Sequence, residues 1–329
     1  MLVGLGVVGY LVYRVGPSTI FDTISALSWR VLIVMCFPYA LTSTLDSAAW
    51  RFAFPDRIPP FPKLWTARLA GEAVNYTTPT ASVGGEPVKA YLVRYWVPPV
   101  EGLTSVIVDK TAIVLGQGLF GLLGLTLACT VVPVSGPIIT AMTVLLIVQA
   151  LAMTGFVAVQ LMGAAGRGGR LLARFGMGPS RSRQERLEGL DRTLATYYRE
   201  RRRRLVAGVL VHFVAWTLGS LEIFLVLNFL GLPVPLLTAM VLESCGAAVK
   251  FASFMIPGSL GALEGSNVAI FAALGYGGAI GLTYTLVRRL RELTWASAGM
   301  IALAALSGRP APVELDEADG TPPRPAAMC

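Results

Sequence analysis

The chain has 329 residues, 54% of them hydrophobic and 14% charged, with a formal net charge of +8 and a mean hydropathy of +0.66. Soluble domains carry far more charge and lack long apolar runs, so this composition excludes an ordinary water-soluble fold and points to a lipid solvent. The positive charge is local: twelve arginines fall between Gly163 and Arg204 against Glu185, Glu188, Asp191 and Glu200, the rest of the chain is balanced, and no nucleic-acid partner is implied.

In chain order, the first apolar stretch, Leu2–Tyr13, is too short to span and is interrupted at Arg14. No basic residue precedes it and no small-residue cleavage site follows, so it reads as a clipped first helix, with a start assigned too late, rather than a signal peptide. Five later stretches, Val31–Phe54, Ser105–Val132, Pro137–Met162, Leu205–Leu230 and Pro235–Ile256, reach the roughly 20 residues that cross about 30 Å of hydrocarbon as a helix. The glycines Gly116, Gly118, Gly121 and Gly124 in the second of these read as surfaces for close helix packing.

Arginine is retained on the cytoplasmic side, so the 163–204 segment is expected there, and the Arg51–Lys110 region with it, leaving 14–30 as a sparse outer loop. A multi-pass membrane placement follows. Ser182 and Glu185 fit a capping box, and Leu187, Leu190, Leu194, Tyr197 and Tyr198 recur at helical spacing. This predicts an interfacial helix on anionic inner-leaflet lipids, the plainer alternative being a topology signal alone. The tail over 307–329, rich in proline and acids, is expected to be disordered.

Cys36, Cys129, Cys245 and Cys329 show no C-x-x-C spacing, and His212 is the only histidine. Counting therefore excludes metal clusters built on several histidines, and no metal, cofactor or catalytic group is expected.

Two polar interruptions carry the functional information. The first runs from Gly71 through Glu72, Asn75, Pro79, Gly84, Gly85 and Glu86 to Lys89; the second runs from Pro257 through Gly258 and Gly261 to Glu264. Overlaid, Pro79–Glu86 and Pro257–Glu264 share a proline, six mostly small residues and a glutamate, and each leads into a helix too short to span. This reads as an internal repeat, with chance similarity as the alternative. Paired broken segments in two halves of a membrane protein mark a midplane binding site, because unwound backbone at that depth is tolerated only inside protein or beside a watery cavity.

A helix beginning near Pro87 is expected to offer amide donors to an anionic head group, with Lys89, or Arg94 beside it, holding a phosphate. Asp46, Asp109, Lys110, Glu222, Glu243, Lys250 and the Arg288, Arg289, Arg291, Glu292 cluster lie in apolar surroundings, where an ionisable residue serves function or an interhelical pair. Glu243 and Lys250 share a helical face two turns apart, which suits a common cavity better than a direct pair.

At these residues the chain resembles the flippase-like family typified by the transmembrane region of lysylphosphatidylglycerol synthases. The resemblance rests on Asn75, Pro79, Gly84-Gly85-Glu86-Pro87-Val88-Lys89, Val108-Asp109-Lys110, Pro257-Gly258, Gly261, Glu264 and Arg288-Arg289. It covers nearly the whole chain. It implies lipid translocation between leaflets, and the spelling of the first block is similar to a branch associated with hopanoid biosynthesis. Full-length synthases add a soluble transferase domain, whereas about 20 residues follow the last span here, so aminoacyl transfer is not expected.

The reading is thus an all-α, polytopic membrane bundle over 1–306, of about six to eight segments with two broken or re-entrant helices. It is expected to translocate or bind an amphipathic, anionic or isoprenoid-related lipid. The alternatives are a membrane-embedded lipid-modifying transferase, disfavoured because the apolar core holds no D-D-x-x-D-like acid cluster for a metal and its diphosphate, and a non-catalytic scaffold. Lipid-synthesis enzymes or a second copy of the chain are the protein partners considered.

Overall fold

The computed structural model describes residues 29–78, 84–174 and 179–307, together with Tyr13 and Ser18. The first apolar stretch up to residue 12, most of the loop after it, and the tail from 308 onward lie outside these residues. Among the described residues there are eleven α-helices: α1 (Arg30–Ala53), α2 (Phe61–Thr77), α3 (Gly85–Val93), α4 (Pro99–Thr130), α5 (Gly136–Leu161), α6 (Ala164–Arg174), α7 (Arg181–Glu200), α8 (Arg202–Phe229), α9 (Leu236–Ala252), α10 (Ala262–Ala273) and α11 (Gly278–Ser307).

Proline sets several of the starts. Proline is the first residue of α4 and the second of α2 and α5, within the first turn, where the missing N–H is no loss and the fixed φ already suits a helix. Four helices, α1, α4, α5 and α8, are long and apolar enough to cross a membrane. The fifth expected span shortens to the 17 residues of α9, which ends at Ala252, ahead of the Pro257–Ser259 turn. Helix α11 is 30 residues long, but Arg288, Arg289, Arg291 and Glu292 interrupt its apolar character midway.

The two interruptions become helical hairpins. Helices α2 and α3 pack against each other across the first break, and α9 and α10 across the second. In the second, Pro257–Ser259 form a single 3-10 turn, with Gly258 at φ 59° and Gly261 at φ 82°. Both lie in the left-handed region that glycine enters without a Cβ penalty; Ser259, at φ 51°, takes the same conformation at some strain.

The bundle has a hydrophobic cluster at each end. One gathers Trp50 and Phe54 of α1, Leu64 and Ala67 of α2, Val93 of α3, Val106 of α4, Tyr197 of α7 and, at its edge, Leu303 of α11. The other gathers Val34 of α1, Ala128 of α4, Leu227 of α8, Leu242 of α9, Phe271 of α10 and Tyr284 of α11. The α2–α3 hairpin thus belongs to one end and the α9–α10 hairpin to the opposite one, with most of the buried charge between.

Helix α7 fixes which end carries the basic loop. Its Tyr197 hydroxyl donates to the Phe52 carbonyl at 2.8 Å, and Arg201 reaches Asp56 at 2.8 Å, so the loop shares an end with the α1–α2 connection. Burial pushes the Tyr197 phenol up to about 12, keeping it a donor. The α7 helix starts two residues earlier than the capping box placed it, with Ser180 at the N-cap and no side-chain cap bond. The segment before it is also helical: α6 docks on α7 where Asp191 accepts the amides of Gly166 at 2.7 Å and Ala165 at 3.3 Å.

Candidate functional site

Charged side chains gather in three groups. In the first, on the α2–α3 hairpin, the Lys89 ammonium lies 2.8 Å from Glu72 and 3.3 Å from Glu86, whose other oxygen meets Lys110 of α4 at 3.1 Å. Two glycines let the limbs meet: a Cβ on Gly85 would overlap the Gly71 carbonyl, and one on Gly71 would overlap the Lys89 stem. Asn75 accepts the Gly85 amide at 2.7 Å and so occupies a donor at the start of α3. Helix α3 begins two residues before Pro87, places Glu86 in its first turn, and complements its own dipole. The expected anion-receiving helix end is therefore filled in part by the chain's own acceptors. Lys89 is 1% exposed and held by carboxylates, not free for a phosphate, and Arg94 instead stacks on Tyr91 and Tyr95 at the far end of α3.

The second group joins four helices. His212 of α8 has Nδ1 at 2.7 Å from Asp46 of α1 and Nε2 at 3.0 Å from Asp109 of α4. Arg68 of α2 donates to the other Asp109 oxygen at 3.1 Å and to the Asp46 carbonyl at 3.1 Å. Asp109, expected beside Lys110 in one site, thus points into a different group from its neighbour, as adjacent positions on a helix must.

The third group belongs to the second half. Arg288 of α11 grips both oxygens of Glu243 of α9, at 2.9 and 3.0 Å, and donates to Tyr284 at 2.8 Å. Glu222 of α8 meets Arg291 at 2.8 Å, and Glu292 meets Arg289 at 2.7 Å and Lys250 at 3.6 Å. Glu264, fully buried, accepts the Gly261 amide at 2.7 Å and Arg289 at 2.8 Å. It closes the start of α10 as Glu86 stands at the start of α3.

The repeat read from Pro79–Glu86 and Pro257–Glu264 extends to this chemistry. At the same spacing Glu72 overlays Lys250 and Lys110 overlays Arg288, and in each half the hairpin glutamate is held by a base of the following long helix. Pro79 lies outside the described residues, and of Pro257 only the backbone is described.

Between the second and third groups lies a cavity of about 140 Å³ lined by Tyr39, Asp46, Tyr76, Trp216, Glu222, Glu243, Lys250, Arg288 and Arg291 among others. It draws on α1, α2, α8, α9 and α11. Of the residues singled out as translocation candidates, Glu243, Lys250 and Arg288 line it, whereas Glu72, Glu86, Lys89, Lys110, Glu264 and Arg289 form the paired clusters on the hairpins. Sequence reasoning passed over Arg68, Tyr39, Tyr76 and His212; the lone histidine in an apolar run was the available signal. On the outside of the bundle an apolar groove of about 550 Å³ runs along α4, α5 and α8, lined by Leu115, Leu119, Leu122, Met153, Val206 and Val209 among others.

A helical membrane bundle with two broken hairpins and a buried ionic belt defines the class. The family described as the lysylphosphatidylglycerol synthase TM region matches residues 1–298, and the chain belongs to it. It is similar to a UPF0104 membrane protein of Methanothermobacter thermautotrophicus, 27% identical over 73% of both chains. It is also similar to a UPF0104 membrane protein of Pyrococcus horikoshii, 23% identical over 88% of this chain and 91% of the relative. No solved structure matches.

Proposed function

We propose that this protein moves an amphipathic lipid between the leaflets of the bacterial inner membrane, with the 163–204 loop on the cytoplasmic side. The observation that carries this reading is the ion-lined cavity between two hairpins that enter from opposite ends. Hairpins of that kind meet at substrate sites near the bilayer midplane in transporters built from inverted repeats. A head group there exchanges partners with paired charges, while its tails stay in hydrocarbon along surfaces such as the α4–α5–α8 groove.

The substrate is an anionic or isoprenoid-type lipid, hopanoid-related amphiphiles included, and the function is transport, not catalysis. The arrangement supports this: the buried acids face bases across helices, as a route for polar groups requires. The arginines of α6 and α7 rest on anionic inner-leaflet lipids, and lipid-synthesis enzymes or a second copy of the chain are its protein partners.

The test uses the purified protein in phosphatidylethanolamine–phosphatidylglycerol vesicles containing head-group-labelled phosphatidylglycerol, with quenching of the outer leaflet as readout. Wild type should speed exchange between leaflets. Glu243→Gln, Glu86→Gln and Glu264→Gln should each slow it by about tenfold, the effect of losing about 1.4 kcal/mol of barrier stabilisation. Exchange unaltered in all three variants would remove the site assignment.

A further inference from the structure

His212 is 0% exposed and stands between two carboxylates, with Asp46 Oδ1 at 2.7 Å from one ring nitrogen and Asp109 Oδ1 at 3.0 Å from the other. A neutral imidazole has one N–H and one bare lone pair. With both aspartates ionised, a neutral ring would hold that lone pair against a carboxylate oxygen at hydrogen-bond distance, with no proton between them, around a fully buried ring where the low dielectric sharpens the repulsion. An imidazolium donates to both, and both distances are then ordinary charge-assisted bonds.

The charge around the ring gives the same count. The groups facing it are Asp46 from α1, Asp109 from α4 and, through both aspartates, Arg68 from α2. Further out, Glu72 of α2 acts on Arg68, Lys89 of α3 acts on Asp109, and Tyr197 of α7, whose hydroxyl is bound to the Phe52 carbonyl, is near enough to feel the Asp109 charge. Two aspartates and Arg68 alone leave one uncompensated negative charge in the bundle; an imidazolium makes the four-residue cluster neutral, which a low-dielectric interior strongly favours.

We infer that Asp46, His212 and Asp109 form a proton-carrying site in which His212 is an imidazolium, loaded and unloaded through Asp46 from the ion-lined cavity. Asp46 supplies the path: its side chain is 28% exposed and lines that cavity, whereas Asp109 is 4% exposed and closed off by Arg68. The site is therefore a store with one door rather than a wire across the membrane.

Its position gives the proton a mechanical consequence. At Gly116 helix α4 touches α8 so closely that a Cβ would sit 2.9 Å from both His212 Cβ and the Phe213 nitrogen. Losing the proton turns one of the two bonds by which His212 ties α8 to α1 and α4 into a repulsion, where α8 packs closely on α4. Protonation thus holds the two halves together and deprotonation loosens them; that this drives lipid movement rests on the function proposed above.

The single histidine makes the test direct. Wild-type protein with 15N-labelled histidine, in lipid nanodiscs at pH 7.5, should show two N–H signals from the ring, although an isolated imidazole of pKa about 6.5 is mostly neutral there. Asp46→Asn should bring the loss of the second proton to lower pH by about 1 to 3 units, the effect of removing one adjacent opposite charge. Amide hydrogen exchange along α8, corrected for intrinsic rate, should rise in wild type once the ring deprotonates and should be insensitive to pH in His212→Gln. A ring with one bare nitrogen at pH 7.5, or an unshifted transition in Asp46→Asn, overturns the proton site whether or not lipid moves. α8 exchange that ignores the ring's protonation overturns the mechanical link. Failure of labelled lipid to move in vesicles overturns the transport reading and leaves the histidine spectra untouched.

Discussion

Arg288 is held on both carboxylate oxygens of Glu243 and on the Tyr284 hydroxyl, with 8% and 4% of the two charged side chains exposed. Such a pair is close to neutral against an apolar replacement of both partners, because desolvation offsets the attraction, but removing one partner strands a buried charge. Arg288→Met should therefore lower stability by about 3–5 kcal/mol, read as reduced resistance to denaturant by tryptophan fluorescence. Arg288→Met combined with Glu243→Leu should recover most of that loss. The exposed Arg181–Glu185 pair gives the contrast: Arg181→Ala should leave the curve unmoved. At this scale the sequence displays which charges lie in apolar surroundings but not their partners. Asp46, Asp109 and His212 come from three helices up to 166 positions apart, and no local periodicity joins them. A histidine dismissed by counting metal ligands is thereby the one that touches both aspartates.

A hairpin in a membrane depends on how closely its limbs approach, since the gain comes from packing rather than from leaving water. In the α2–α3 hairpin the limiting contact is Gly85 on the Gly71 carbonyl. Gly85→Ala should cost about 1–3 kcal/mol by overpacking, part the limbs and loosen the Lys89 pairing, seen as faster hydrogen exchange across α3 at constant pH. Gly155→Ala in α5, where an added Cβ meets nothing within 4 Å, should hold or slightly raise stability through helix propensity. Both breaks were legible, because glycine, proline and a following glutamate in an apolar chain have few other readings. The limits of the limbs were less so. Pro87 looked like a helix start, yet Asn75 pulls the Gly85 amide into place and begins α3 earlier; that bond spans the break and leaves no trace in local spacing.

At the level of the molecule, two halves share one order: a long helix, a hairpin, a long helix. They are α1 to α4 and α8 to α11, joined by α5, α6 and α7. Helix α1 packs on α8, the first limb of one hairpin packs on the closing helix of the other half (α2 on α11), and α9 packs likewise on α4. The odd number of crossings in the link, α5 alone, inverts the second half relative to the first, so the repeat found in two short motifs is one of opposite orientation. Labelling can test this arrangement. In a variant cleared of native cysteines, Arg57→Cys and Pro99→Cys, which bracket the α2–α3 hairpin, should react with a membrane-impermeant maleimide from the same face as Arg181→Cys in the basic loop. Pro233→Cys and Ala273→Cys, which bracket α9–α10, should react only from the other face. Were either hairpin to label at its two ends from opposite faces, it would be a full crossing and not re-entrant. Were all five positions to label from one face, the inversion would be lost, and with it the reason for a shared cavity between the halves.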